Sequence, residues 1–246
     1  MRLLARWLVP VRDVRVISCL CVTHERPEFM PWVEHQFLKQ KTWGGYKLQA
    51  GPLAELLILD SSERPWESDF ATVHHCPTMP GIAEKRTLAV NVSRPMLTWF
   101  DDDDWQSPTK VNTTSRMWDE EDDNASGDFS AFGARHAYMY SVSTGKASLY
   151  ESTYEPIIFN SAVYRKNSVP QNFDSSLITG EDTEWHERWL RTRPTYVTLG
   201  EPTHAWLCHG KNITNKDTSR FFELANPIPF DDWERDFLER LKGGRL

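Results

Sequence analysis

The sequence has no apolar run close to the roughly 20 residues that cross a bilayer. It has no basic excess either: 28 Lys and Arg stand against 35 Asp and Glu, a formal net charge of −7. That balance argues against a protein held to nucleic acid by bulk charge. No CxxC pair is present among Cys19, Cys21, Cys76 and Cys208. This is a reduced, cytosolic pattern and not a disulfide framework. Internal repeats and low-complexity linkers are also missing, so one domain is expected. Apolar residues are scarce at 39%, yet 12% of the chain is aromatic, with 11 Trp, which excludes a disordered chain. A chain of 246 residues can bury one sizeable core, or at most two small ones. Residues 1–13 read as a leader or edge segment. Arg2, Arg6 and the residues around Trp7 hint at a signal start, but the apolar part is short and no small-residue cleavage site follows. The expectation is a cytoplasmic protein without a membrane anchor.

The acid is concentrated. Asp101–Asp104 and the run Asp119, Glu120, Glu121, Asp122, Asp123 hold nine carboxylates; without them, 26 acids face 28 bases. The second run reads as a solvated, mobile loop within 118–127. The first is different, and its place depends on the elements around it.

Val14–Val22 reads as a buried strand that stops at Thr23-His24-Glu25-Arg26-Pro27. A helix is expected over Met30–Gln40. Glu55–Leu59 is a second strand, ending at Asp60-Ser61-Ser62. Ile82–Val92 reads as a helix, and Met96–Phe100 as a third strand running straight into four aspartates. Alternating strands and helices imply crossover units and a parallel sheet, and such sheets carry ligands beyond the carboxyl ends of their strands. Three polar tips then face one crevice. The second half suggests strands at Tyr138–Val142, Ala147–Glu151 and Ile157–Tyr164, perceived as an antiparallel patch, and short strands at Tyr196–Leu199 and Ala205–Cys208. Helices are expected over Glu181–Leu190 and Asp231–Leu241, the latter with Asp231 as N-cap.

Adjacent carboxylates repel, and the repulsion grows on leaving water. An acid run is ordinarily a solvated loop. This one follows Leu97-Thr98-Trp99-Phe100 without a spacer and precedes Trp105, neighbours that favour a divalent cation. Oxygen-only clusters suit hard ions such as Mg2+ or Mn2+.

Thr98-Trp99-Phe100-Asp101-Asp102-Asp103-Asp104-Trp105-Gln106-Ser107-Pro108 resembles the Asp-x-Asp segment of GT-A fold nucleotide-sugar glycosyltransferases, especially the inverting family 2. Other landmarks follow the same order. Val22-Thr23-His24-Glu25-Arg26 resembles the first-strand tip, with His24 and Glu25 in place of the usual Tyr and Asn. Ile58-Leu59-Asp60-Ser61-Ser62 resembles the second tip, and Gly81–Ala89 the helix after it. Gly180-Glu181-Asp182-Thr183-Glu184 resembles the segment that carries the catalytic base, and His209-Gly210-Lys211-Asn212 the late metal-site histidine. The resemblance spans about Val14 to Asn212.

It implies an α/β fold: a single Rossmann-like domain over 14–246, with a mostly parallel sheet flanked by helices and a small antiparallel acceptor-side part. Residues 14–108 would bind the nucleotide sugar, 109–212 the acceptor, and 213–246 would form a helical tail. It implies a metal-dependent inverting enzyme that moves a sugar from a nucleoside-diphosphate sugar, by family habit a UDP-sugar, to an acceptor hydroxyl on a glycan, a protein, a small molecule or a hydroxylated DNA base. Asp103 and His209 would hold Mn2+ or Mg2+. Asp101 and Asp103 align as the motif pair, with Asp102 and Asp104 as possible substitutes. Thr23, His24, Arg26, Asp60, Lys85, Arg86, Asp101 and Asp102 would contact the donor, Lys85 or Arg86 facing its diphosphate. Asp182, then Glu181, would be the base. Trp185 and Trp206 would line the acceptor site. The alternatives are a nucleotidyltransferase, which usually shows a Gly-rich phosphate loop that is missing near the first strand, and a non-catalytic metal- or sugar-binding module.

Overall fold

The structure, a computed structural model, describes residues 16–40, 54–79, 81–114, 118, 129–152, 156–209 and 228–245. The expected leader over 1–13, the acidic run 119–123, Gly210–Asn212 and the first part of the expected tail, 213–227, lie outside the described residues.

The first strand, β1 (Ile17–Thr23), is buried along its whole length, as its apolar and small residues dictate for a strand covered on both faces. It pairs in parallel with β2 (Ala54–Asp60) and with β4 (Met96–Trp99). A further strand, β3 (Thr72–His75), adds to β2 at the sheet edge. It is half-exposed and lacks apolar alternation, so no pattern announces it. Beyond β4 come β9 (Val163–Arg165), β6 (Ala131–Ala134) and β10 (Tyr196–Leu199). The seven-stranded order is β10-β6-β9-β4-β1-β2-β3, with β9 alone antiparallel to its neighbours. The expected mostly parallel sheet is therefore present.

Period-2 alternation splits the core. Ile17, Cys19, Cys21, Leu56 and Ile58 face α1 (Met30–Leu38) and α4 (Asp232–Lys242). Leu20, Val22, Leu57, Leu59, Leu97 and Trp99 face α2 (Ile82–Val92) and α3 (Glu181–Arg191). Each such large side chain contributes about 1.5–3 kcal/mol when fully buried. Helix α1 carries its proline in the first turn, where no backbone N–H is missed. Helix α4 begins with a capping box: Asp231 accepts from the Glu234 N–H, and Glu234 accepts from the Asp231 N–H.

A second sheet, β5-β11-β7-β8, is built from β5 (Asp104–Gln106), β7 (His136–Ser141), β8 (Lys146–Glu151) and β11 (His204–Cys208). The hairpin β7–β8 is antiparallel as expected, but β11 runs parallel to β7, so the patch is mixed. The expected strand Ile157–Tyr164 is not continuous. Its middle is a 3-10 turn, Phe159–Ser161, before β9. The Ser161 hydroxyl bonds the carbonyls of Ala134 and Ile158 and accepts from the Ala134 N–H, local bonds that compete with a ladder. The Gly133 backbone approaches this turn so closely that a Cβ there would lie 2.8 Å from the Ala162 Cβ. Among the described residues, no helix is long and apolar enough to cross a membrane.

Candidate active site

Parallel pairing brings the carboxyl ends of β1, β2 and β4 together, and side chains tie them. The Thr23 hydroxyl donates to Asp102 Oδ2 at 2.9 Å. Arg26, just past β1, donates from Nη1 to Asp102 at 2.6 Å and from Nη2 to Asp103 at 2.8 Å. Its guanidinium lies 4.4 Å above the Phe29 ring, and Phe29 also stacks on His209 at 5.3 Å. His209 Nε2 is 3.4 Å from Asp103 Oδ2. The expected pair Asp103 and His209 is thus brought together.

The four aspartates point in different directions. Asp101 turns toward α2 and α3: it accepts from Arg86 Nη2 at 3.1 Å and from Asn160 Nδ2 at 2.7 Å. Asp102 and Asp103 share Arg26. Asp104 belongs to β5, where it accepts from the Leu207 N–H and lies 3.3 Å from His204 Nε2. It is held in the second sheet, away from the Arg26 bonds that tie Asp102 and Asp103.

Burial and crowding set the charges. Burial, with Asp103 beside it, pushes the Asp102 carboxyl up to about 8 against the pull of Arg26 and Thr23. Burial raises Asp101 too, opposed by Arg86. Burial also works against ionisation of Asp103, but hydrogen bonds from His209 and Arg26 outweigh it and hold that carboxyl below the usual range. Burial likewise raises Glu181 against Arg86. The cluster is short of positive charge, and a proton on Asp102 is one way to supply it.

The two cations of α2 face inward. Lys85 and Arg86 are buried, which demands partners. Lys85 Nζ donates to the Thr23 carbonyl at 2.6 Å and the Ser61 hydroxyl at 2.8 Å, joining the β1 and β2 tips. Burial lowers its ammonium. Arg86 spans Asp101 and the start of α3: Nη1 is 3.0 Å from Glu181 Oε1 and 3.7 Å from Asp182 Oδ2. Gly180 caps that helix at φ +79°, the left-handed region glycine tolerates.

The remaining expected residues sort by surroundings. Asp60 is buried, with Oδ1 accepting from the Ser62 N–H and hydroxyl and Oδ2 from the Trp66 N–H; three bonds commit it to the loop after β2. His24 is exposed at the tip, its Nδ1 3.0 Å from Ser61 Oγ. Trp185 is fully enclosed and donates to the Pro170 carbonyl, so its place is the core and not an acceptor surface. Trp206 is half-buried, in register with Asp104 and edge-on to Tyr150 at 5.4 Å.

Sequence reasoning missed Asn160 and Lys110. Lys110 is buried, and its Nζ donates to the carbonyls of Trp99 and Asn160 and to Gln106 Oε1. Burial pushes its ammonium down to about 7. It clamps the end of β4 to the turn that carries Asn160. The signal for Asn160 was the polar Asn-Ser break inside the apolar Ile157–Tyr164 stretch.

Among the described residues, His35, Asp231 and Glu234 are the one group of three or more such side chains whose ligand atoms lie close enough together to chelate an ion. Its carboxylates are already used: Lys39 Nζ is 2.5 Å from Glu234 and 3.3 Å from Asp231, and Gln36 donates to Glu234. It staples α4 to α1.

No protein-family model matches the sequence, and no curated protein does. Solved structures do match in shape. TarS 1–349 of S. aureus superposes with a TM-score of 0.55 at 12% identity over 78% of this chain and 60% of that one. Its complex with UDP-GlcNAc gives 0.52 at 12%, over 78% of this chain and 58% of that one. The mannosyltransferase PcManGT from Pyrobaculum calidifontis, in complex with GDP-Man and Mn2+, gives 0.51 at 11%, over 82% of this chain and 59% of that one. The chain has a GT-A fold. It spans about 60% of the length of those chains, and at such identity the likeness carries the fold alone. Within this GT-A fold, the aspartate cluster occupies the carboxyl end of the parallel sheet, the place where open α/β sheets take their ligands.

Proposed function

We propose that the chain is a glycosyltransferase: a metal-dependent, inverting enzyme that moves a sugar from a nucleoside-diphosphate sugar, preferably a UDP-sugar, to an acceptor hydroxyl. One observation carries this reading. The Asp101–Asp103 carboxylates meet the β1 tip through Arg26 and Thr23, and the acidic start of α3 through Arg86. A charge-handling end and a proton-accepting end therefore flank one site, within a domain read as 14–246. The fold neighbours that bind UDP, UDP-GlcNAc and GDP-Man with Mn2+ support the donor class.

The residues fit a divalent cation. Two ligands at right angles on an ion with bonds of about 2.1 Å lie about 3 Å apart, and Asp103 Oδ2 and His209 Nε2 are 3.4 Å apart; Arg26 Nη2, which donates to the same oxygen at 2.8 Å, would give way to the ion. The charge shortage around Asp102 fits as well. Asp103 and His209 would hold Mn2+ or Mg2+, which when bound supplies Lewis-acid charge to a leaving diphosphate.

The rest is work for this chain's own side chains. As the acceptor oxygen bonds to the anomeric carbon and the carbon–oxygen bond to phosphate breaks, the nucleoside diphosphate leaves and the hydroxyl proton needs a base. Asp182 suits that role better than Glu181: its side chain is 36% exposed against 6%, so it can reach an acceptor. The start of α3 favours its negative charge. Arg26 keeps Asp102 in place, and exposed His24 is available to the donor. Trp206, beside Tyr150 on the sheet face that carries Asp104, offers an acceptor a ring surface.

Thermal-shift scanning with UDP and GDP, each with Mn2+, Mg2+ or chelator, tests this. The expected result is stabilisation by UDP that appears with the metal and disappears with chelator. No metal-dependent shift with either nucleotide would overturn the reading.

A further inference from the structure

We infer that Arg86 is a positioning residue that sets the base on α3 against the aspartate cluster, and not a ligand of the donor diphosphate; this rests on the glycosyltransferase reading above. The side chain is 3% exposed. The rings of Trp99, Phe159 and Phe173 lie 5.3, 5.3 and 5.9 Å from its guanidinium carbon. Both terminal nitrogens of the fork are engaged by protein carboxylates. Nη2 holds Asp101 Oδ1 at 3.1 Å, and Nη1 holds Glu181 Oε1 at 3.0 Å.

A guanidinium is flat and rigid, so two carboxylates on one fork stand at a fixed separation; an ammonium on a flexible stem cannot impose this. Here one carboxylate follows β4 and the other opens α3. The link is braced from behind. Asn160 Nδ2 donates to the other oxygen of Asp101 at 2.7 Å, and Lys110 holds the Asn160 carbonyl at 2.6 Å. With Glu181 drawn into the buried pair, the next residue, Asp182, is left facing outward, 3.7 Å from Nη1. Glu181 therefore acts as the tether and Asp182 as the base. Because burial would otherwise disfavour the guanidinium, its charge is kept by Asp101, Asp182 and Glu181, the very groups it aligns.

The test compares wild type with Arg86→Gln, Arg86→Lys and Glu181→Gln. UDP release from a UDP-sugar with Mn2+ gives the rate, and calorimetry with UDP and Mn2+ gives the affinity. A misplacement of about 1 Å costs on the order of 100-fold in rate. Arg86→Gln should therefore lose about 100-fold in kcat with UDP affinity held within about threefold, and Arg86→Lys should recover only part of the rate. A fall in UDP affinity matching the fall in rate would overturn the inference in favour of a diphosphate contact. Should Arg86→Gln fail to fold, Glu181→Gln decides, since it keeps the shape and leaves Arg86 paired with Asp101. A slower rate at unchanged affinity with the basic-group limb of the wild-type pH–rate profile retained supports the tether; loss of that limb would make Glu181 the base, and an unchanged rate refutes the tether. Wild-type turnover untouched by all three changes would refute this inference alone, whereas wild type that neither binds UDP nor releases it would refute the enzyme reading and this inference with it.

Discussion

Asp182→Asn should slow sugar transfer about a thousandfold, within the range that a positioned general base supplies, while UDP affinity in Mn2+ stays near the wild-type value. The amide matches the carboxylate in shape, so the start of α3 and its Gly180 cap should be undisturbed. The Glu181–Arg86 pair at 3.0 Å does not involve the altered group. The loss should fall in kcat, because the proton is taken only as the acceptor attacks. Steady-state kinetics together with calorimetry check this. A wild-type rate would remove Asp182 as base, and equal losses of rate and affinity would place it on the donor instead.

The second large effect is expected from Asp103→Asn. This change removes the carboxylate that Arg26 and His209 hold below the usual range and halves the expected ligand pair. Metal stabilisation of a leaving group is worth several kcal/mol, and each 1.36 kcal/mol is tenfold, so the rate should fall by about a thousandfold. Unlike the base variant, Asp103→Asn should also abolish the Mn2+-dependent part of UDP binding. Titration of Mn2+ against UDP-driven thermal stabilisation separates the two variants. The distinction follows from placement: Asp103 lies at the end of the site facing His209, Asp182 at the end facing α3.

Much of the frame was legible in the residues. The strands β1, β2 and β4 are apolar runs that stop at polar tips, and burial on both faces leaves such runs few other uses. Helix α2 was placed at its observed ends, Ile82–Val92. The resemblance set Lys85 and Arg86 toward the donor diphosphate, but their full burial rests on tertiary partners no local pattern shows, the Thr23 carbonyl for one and Asp101 with Glu181 for the other. The aspartate run stood out as a candidate site because Phe100 and Trp105 flank it without a solvated spacer. Its division of labour did not, since the directions of four adjacent side chains depend on the arrival of Arg26, Arg86, His204 and His209 from elsewhere in the chain. The tryptophans were ambiguous for a similar reason: Trp185 and Trp206 have the same chemistry, and only packing separates an enclosed ring from a half-open one. The turn at Phe159–Ser161 was hidden by its apolar flanks, although its Asn-Ser pair marked the break.

Anomalous diffraction at the manganese edge, from crystals grown with Mn2+ and UDP, tests the central claim most directly. The account predicts a peak coordinated by Asp103 and His209 beside the nucleotide's phosphates at the ends of β1 and β4. A peak confined to His35, Asp231 and Glu234, or nucleotide bound away from the β4 tip, would contradict it.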